Sequence, residues 1–106
     1  MQKISRLTAR RRLRRYTDAL KRQLPMLRKR FHVQYLGLFG SYIQGIPRQN
    51  SDLDVLVEFS ETPSLFEVIE LEGYLSDLLG VKVDLVMKST LKPLIGSRIL
   101  SEVVGL

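Results

Sequence analysis

Between residues 5 and 31 the apolar side chains recur at Leu13, Tyr16, Leu20, Leu24, Leu27 and Phe31. Spacings of three and four keep them on one face of a helix. Arg and Lys crowd the other faces, so the pattern predicts one long amphipathic helix over 5–31, or two in series. Pro25 lacks an N–H and clashes with the preceding turn, so a kink or short break is expected near Gln23–Leu24. Val33 to Phe39 is apolar on both faces, which predicts a central strand. From Asp52 to Phe59 the period is two, with Leu53, Val55, Val57 and Phe59 on one face and Asp52, Asp54, Leu56 and Glu58 on the other. Residues 64–79 return to the helical period through Leu65, Val68, Leu71, Leu75 and Leu78, with Phe66 and Ile69 beside them. Ser64 and Glu67 form an S-x-x-E capping box, and Gly80 suits the position just past the helix end. Val81 to Met87 reads as a third strand, with Val83, Leu85 and Met87 toward the core and Lys82, Asp84 and Val86 opposite. The remaining segment has a cap signal at Ser89 or Thr90, a short helix near Leu91–Ile99, and a closing ILSEVVGL that predicts a short strand or tail over the core.

Between these elements lie two short polar stretches. Gly40-Ser41 ends the first strand and leads into a short helical turn over Tyr42–Gly45. Glycine permits tight turning and the close approach of a ligand there, and the first N–H groups of the turn suit an anion. Ile46 to Asn50 is a surface loop with turn residues at Pro47 and Asn50.

The 106 residues amount to one domain, 1–106, on length alone. There is no cysteine, which excludes disulfides and thiolate metal sites and fits a reducing, cytoplasmic setting. No apolar run approaches the roughly 18 residues that span a bilayer, and the arginine-rich start has no apolar core of a secretory signal. The net charge of +6 hides an asymmetry. Residues 1–32 hold 12 of the 17 Lys and Arg and a single acid, Asp18, whereas the rest hold 5 bases against 10 acids. The basic face is either a solvated helix exterior or a docking surface for RNA, DNA or an acidic protein. No aromatics interleave with Arg10-Arg11-Arg12, so no base-stacking platform is indicated. His32, the single histidine, sits at a helix-to-strand junction and reads as structural.

Asp52 and Asp54 are two residues apart on one strand face, roughly 6.6 Å between Cα atoms. Taken alone they are a solvated turn or half of a cation site, since two such charges repel unless a cation lies between them. Asp84 joins them only if its strand lies beside theirs with the same phase. Three carboxylates next to a Gly-Ser turn would suit phosphoryl transfer with two Mg²⁺ ions, hard cations that take oxygen ligands. Asp52 and Asp54 would bridge the ions. Asp84 would complete one ligand set and take a proton from the incoming hydroxyl. Gly40 and Ser41 would hold a triphosphate.

Gly40-Ser41-Tyr-Ile-Gln-Gly45 followed by Ser51-Asp52-Leu53-Asp54 and an apolar strand resembles the signature of the DNA polymerase β-like nucleotidyltransferases. The Val-Asp84-Leu-Val strand and the short length resemble its minimal nucleotidyltransferase (MNT) branch. The likeness runs over nearly the whole chain. It implies an α+β nucleotidyltransferase fold, a small mixed β-sheet flanked by helices. It implies Mg²⁺-dependent transfer of AMP from ATP to a hydroxyl, and a role as antitoxin to a HEPN ribonuclease toxin, modified on tyrosine within a hetero-oligomer. The metal roles carry to Asp52, Asp54 and Asp84, and the nucleotide roles to Gly40, Ser41 and Gly45. Many relatives have Arg before the second glycine. Gln44 stands there in this chain, and Arg48 is the candidate to replace it. A chain this short is expected to take its acceptor site from a partner. The other readings are a catalytically weak antitoxin acting by contact alone, and a transferase acting on RNA held by the basic helix.

Overall fold

Helix α1 runs from Arg6 to Phe31, 26 residues, in a computed structural model that describes residues 4–106. Ser5 caps it by accepting a hydrogen bond from the Thr8 N–H at 3.1 Å. Tyr16, Leu20, Leu27 and Phe31 are buried, and Leu13 and Leu24 pack at the edge of the same core. Of the kink or short break expected near Gln23–Leu24, the break does not occur: the helix runs unbroken through Pro25. The Pro25 ring is exposed, and the apolar stripe holds the helix to the core on both sides of it. His32 ends the helix in the left-handed region (φ 57°, ψ 34°), its N–H reaching the Leu27 carbonyl. Its own carbonyl accepts the Ser60 N–H at 2.8 Å. The histidine is thus a helix stop and a staple, as its junction position implied.

Strand β1 (Val33–Phe39) is central, and the short helix α2 (Ser41–Gln44) follows it. Strand β2 (Leu53–Phe59) pairs antiparallel with β1, placing Phe39 opposite Asp54. It begins one residue later than expected, so Asp52 stands just before the strand. Helix α3 (Leu65–Leu79) opens with the full reciprocal capping box of Ser64 and Glu67 and stops at Gly80 (φ 67°). Strand β3 (Val83–Met87) starts two residues later than predicted and pairs parallel with β2, giving Asp54 opposite Asp84. After a 3-10 turn at Lys88–Thr90 comes helix α4 (Pro93–Glu102). Neither Ser89 nor Thr90 caps it. Lys92 does so without a side-chain bond, and Pro93 supplies the fixed φ of a first helical residue. Strand β4 (Val104–Gly105) pairs antiparallel with β1. The sheet is therefore mixed, in the order β3-β2-β1-β4.

The core lies on the sheet face covered by α1 and α3. Leu53, Val55 and Val57 of β2 meet Leu71, Leu75 and Leu79 of α3 there, all buried. The α3 stripe differs from the predicted one at its start. Leu65, Phe66 and Ile69 are 72%, 83% and 58% exposed, because the first turns of the helix overhang the sheet and only the later ones reach it. Two side chains of α3 instead grip the outer edge of β3. Ser76 Oγ accepts the Val83 N–H at 3.0 Å and Glu72 Oε2 accepts the Leu85 N–H at 3.0 Å. These are the two amides flanking Asp84 that a strand at this edge would otherwise leave unpaired.

Candidate active site

On the face opposite the core, at one end of the sheet, three backbone segments converge. The end of β1 brings Gly40, the start of β2 brings Asp54, and β3 brings Asp84 alongside. Residues directly opposite in paired strands share a face, so both carboxylates stand on the same side. Asp52, one residue outside the strand, flanks them.

Gly40 adopts φ 80° and ψ −155°, a region open essentially to glycine alone. A methyl group there would overlap the Asp54 carboxylate and lie 2.8 Å from its Cγ. The Asp54 side chain therefore rests directly on the Gly40 backbone. Gly45 is glycine for a different reason. It ends α2 in the left-handed region (φ 78°), and a side chain there would meet nothing within 4 Å. Ser41 opens α2 half-buried, and its carbonyl accepts the Ile46 N–H at 3.0 Å.

The electrostatics follow from this crowding. Asp54 is pushed up to about 6, first by burial and then by the charges of Asp84 and Asp52. Among the described residues Lys82 pairs with Asp52, its Nζ 3.9 Å from Asp52 Oδ2 at a largely exposed position. The acids are neighbours, not a closed ligand shell. Among the described residues no three acidic or histidine side chains converge to hold an ion by themselves. Such an open, all-oxygen donor set still fits Mg²⁺, which keeps part of its water shell and is bound by one or two carboxylates plus substrate phosphates. The unrelieved repulsion at Asp54 is the property a divalent cation would relieve.

Arg48 is exposed on the 46–50 loop. Its N–H donates to Ser51 Oγ at 2.7 Å, and among the described residues it makes no ion pair with the acids. Gln44 points the other way, its Nε2 donating to Glu102 Oε2 on α4 at 3.2 Å. Three groups beside the acids were not legible in the sequence. Lys82 is one. The others are Arg12 and Arg15 of α1, which share an open cleft of about 620 Å³ with Asp52, Lys82 and the edge-to-face pair Tyr16 and Tyr42. Arg12 also spans to the loop, donating to the Gln49 carbonyl at 3.4 Å.

Comparison with known proteins matches residues 20–106 to the nucleotidyltransferase domain family. The chain belongs to that family. A relative named protein adenylyltransferase MntA, from Thermococcus cleftensis, is 56% identical over 78 residues, covering 74% of this chain and 79% of the relative. Among solved structures, one described as a minimal nucleotidyltransferase superposes with a TM-score of 0.72 at 33% identity and covers 97% of both chains. A toxin–antitoxin structure with AMP-PNP gives a TM-score of 0.65 at 26% identity, covering 87% of this chain and 69% of that one. A chain from a Shewanella oneidensis complex of a tri-AMPylated HEPN toxin with an MNT antitoxin shares the fold, with a TM-score of 0.58 at 21% identity over 92% of this chain and 70% of its own length. This nucleotidyltransferase thus has the mixed-sheet α+β fold of the minimal branch, as the Gly-Ser and Asp-x-Asp motifs implied. Among its described residues no helix is long and apolar enough to cross a membrane.

Proposed function

We propose that this nucleotidyltransferase is a protein adenylyltransferase that moves AMP from ATP onto a hydroxyl, a tyrosine, of a HEPN ribonuclease toxin, and so serves as its cytoplasmic antitoxin. The observation that carries the reading is the Asp54 carboxylate held between Gly40 and Asp84 with its charge uncompensated. The kinship to MntA and to toxin–antitoxin chains supports the donor and the class of partner.

In this mechanism Asp52, Asp54 and Asp84 would hold Mg²⁺, two ions in the full site, and the metal would supply positive charge against the phosphates and the leaving oxygen. Gly40 and Ser41 cradle the triphosphate through backbone N–H groups and the Ser41 hydroxyl. Gly45 keeps that turn closed, and Arg48 or the cleft arginines balance the phosphate tail in place of an arginine at position 44. The acceptor oxygen attacks the α-phosphorus while the bond to the β-phosphate oxygen breaks. AMP ends as a phosphodiester on the acceptor, pyrophosphate leaves, and Asp84 takes the hydroxyl proton.

The test uses ATP labelled at the α-phosphate, Mg²⁺ and a HEPN partner. Label should appear on the partner, pyrophosphate should be released in equal amount, and both should vanish with Asp54→Asn or Asp52→Asn. Toxin inhibition that survives both substitutions would instead identify an antitoxin acting by contact alone.

A further inference from the structure

Apart from the cleft residues Arg12 and Arg15, the outer face of α1 carries charge that the transfer reaction does not use. Every exposed residue from Arg10 to Arg30 is Arg or Lys, except Asp18 and Pro25. Arg11, Arg22 and Lys29 fall in one row along the helix, about 27 Å long at 1.5 Å per residue, with Asp18 the single acid among them. A second row of bases runs beside it. Among the described residues, Arg30 is the one base of this helix with a carboxylate partner, Glu70 Oε1 at 2.7 Å. Arg10 and Arg14, and Arg11 and Arg15, are like charges four apart, each pair opposing the helix by about 0.2–0.5 kcal/mol. The first turn has no acid to meet the helix dipole. The helix is thus held against its own repulsion, and an extended polyanion would relieve it.

We infer that this face of α1 grips the phosphate backbone of single-stranded RNA. The exposed bases occur at roughly one per 3 Å of helix axis, the order of the ~3.4 Å between phosphates along one stacked nucleic-acid strand. A protein partner would call for aromatic or apolar anchors at the centre of its interface. From Arg10 to Arg30 this face offers none apart from the Pro25 ring. Nor does it carry an aromatic on which bases could stack, so the grip reads backbone charge and not sequence. Chromosomal DNA is held as duplex, with twice this charge per length, whereas cellular single strands are chiefly RNA. The inference is independent of whether the three aspartates transfer AMP.

The experiment is fluorescence anisotropy of a labelled 20-nucleotide polyuridine RNA titrated with the full chain at several salt concentrations. Binding should weaken steeply with salt, log K falling by about 0.7 per contacted phosphate for each tenfold rise. The triple variant Arg11→Gln, Arg22→Gln, Lys29→Gln avoids the cleft residues and keeps good helix formers. It should lower that slope by about 2 and weaken binding at least tenfold near 0.1 M salt, with an unfolding midpoint no lower than that of the native chain and AMP transfer intact. Three outcomes would overturn the inference: RNA affinity that the triple variant leaves unaltered, affinity insensitive to salt, or tighter binding to polyglutamate or duplex DNA of matched length.

Discussion

Replacing Gly40 by alanine tests whether the close seat of Asp54 is real. Two costs are expected, and they can be separated. The backbone at φ 80°, ψ −155° costs an L-residue about 1–3 kcal/mol. The new methyl must also displace the Asp54 carboxylate, an overpacking cost of about 1–3 kcal/mol. The sum, about 4 kcal/mol, is a large share of the roughly 5–15 kcal/mol that holds a domain of this size. Urea unfolding followed by circular dichroism would measure it in four proteins: the native chain, Gly40→Ala, Asp54→Ala, and the double variant. Alanine at 54 removes the carboxylate but leaves the backbone requirement at 40, so Gly40→Ala should cost about 1–2 kcal/mol less in that background. An equal cost in both backgrounds would show that the two residues do not touch. No cost in either would refute the backbone argument as well. In the single Gly40→Ala chain, AMP transfer should fall at least a hundredfold, because an ångström of misplacement at a reacting centre is enough for that.

Three further outcomes follow from the same geometry. Asp54 titrates near 6 when folded and near 3.8 when unfolded, so between those values the folded state holds more protons and stability falls as pH rises. The gap corresponds to about 3 kcal/mol, nearer 2 once the partial exposure of the group is allowed for. With Mg²⁺ present Asp54→Asn should therefore be inactive, yet in EDTA it should be about 2 kcal/mol more stable than the native chain at pH 7, with the advantage gone near pH 4; equal stability at both values would rule out the strained carboxylate. Glu72→Ala or Ser76→Ala should cost about 1–2 kcal/mol by leaving a β3 amide without its partner, and should slow AMP transfer while ATP binding, read by calorimetry, holds. Ser64→Ala, far from the site, should cost about 1 kcal/mol in urea unfolding through loss of the capping box, with transfer unchanged.

Much of the fold was legible because strand phase and caps are local properties. Leu53, Val55 and Val57 alternate, Ser64 and Glu67 are three apart, and Gly80 follows the last helical leucine, so each could be read without knowing its neighbours. The α3 stripe misled because residues 65–71 are apolar on several faces at once, and only the extent of the sheet beneath decides that Leu71 is covered while Phe66 is not. Pro25 does not break the helix because the packing of Leu20, Leu24, Leu27 and Phe31 outweighs its local cost. At the site, the phase of Asp52, Asp54 and Asp84 was readable, but that β3 lies parallel beside β2 is a matter of topology. Lys82 reaches Asp52, and Arg12 and Arg15 share its cleft, across large sequence separations, and no local pattern marks them. Glu72 and Ser76 left one faint trace, two polar residues four apart on a helix that leads straight into an edge strand.

The bonds from Ser76 and Glu72 to the outer amides of β3 bear on how this molecule can meet others. A sheet of this order has two free borders. On the β3 side two backbone donors are already taken by α3, and on the other side β4 is only two residues long. The β3 border thus offers another chain fewer open backbone donors to extend. Copies that meet along β3 find those two donors already occupied, which disfavours recruitment into a growing sheet through that border.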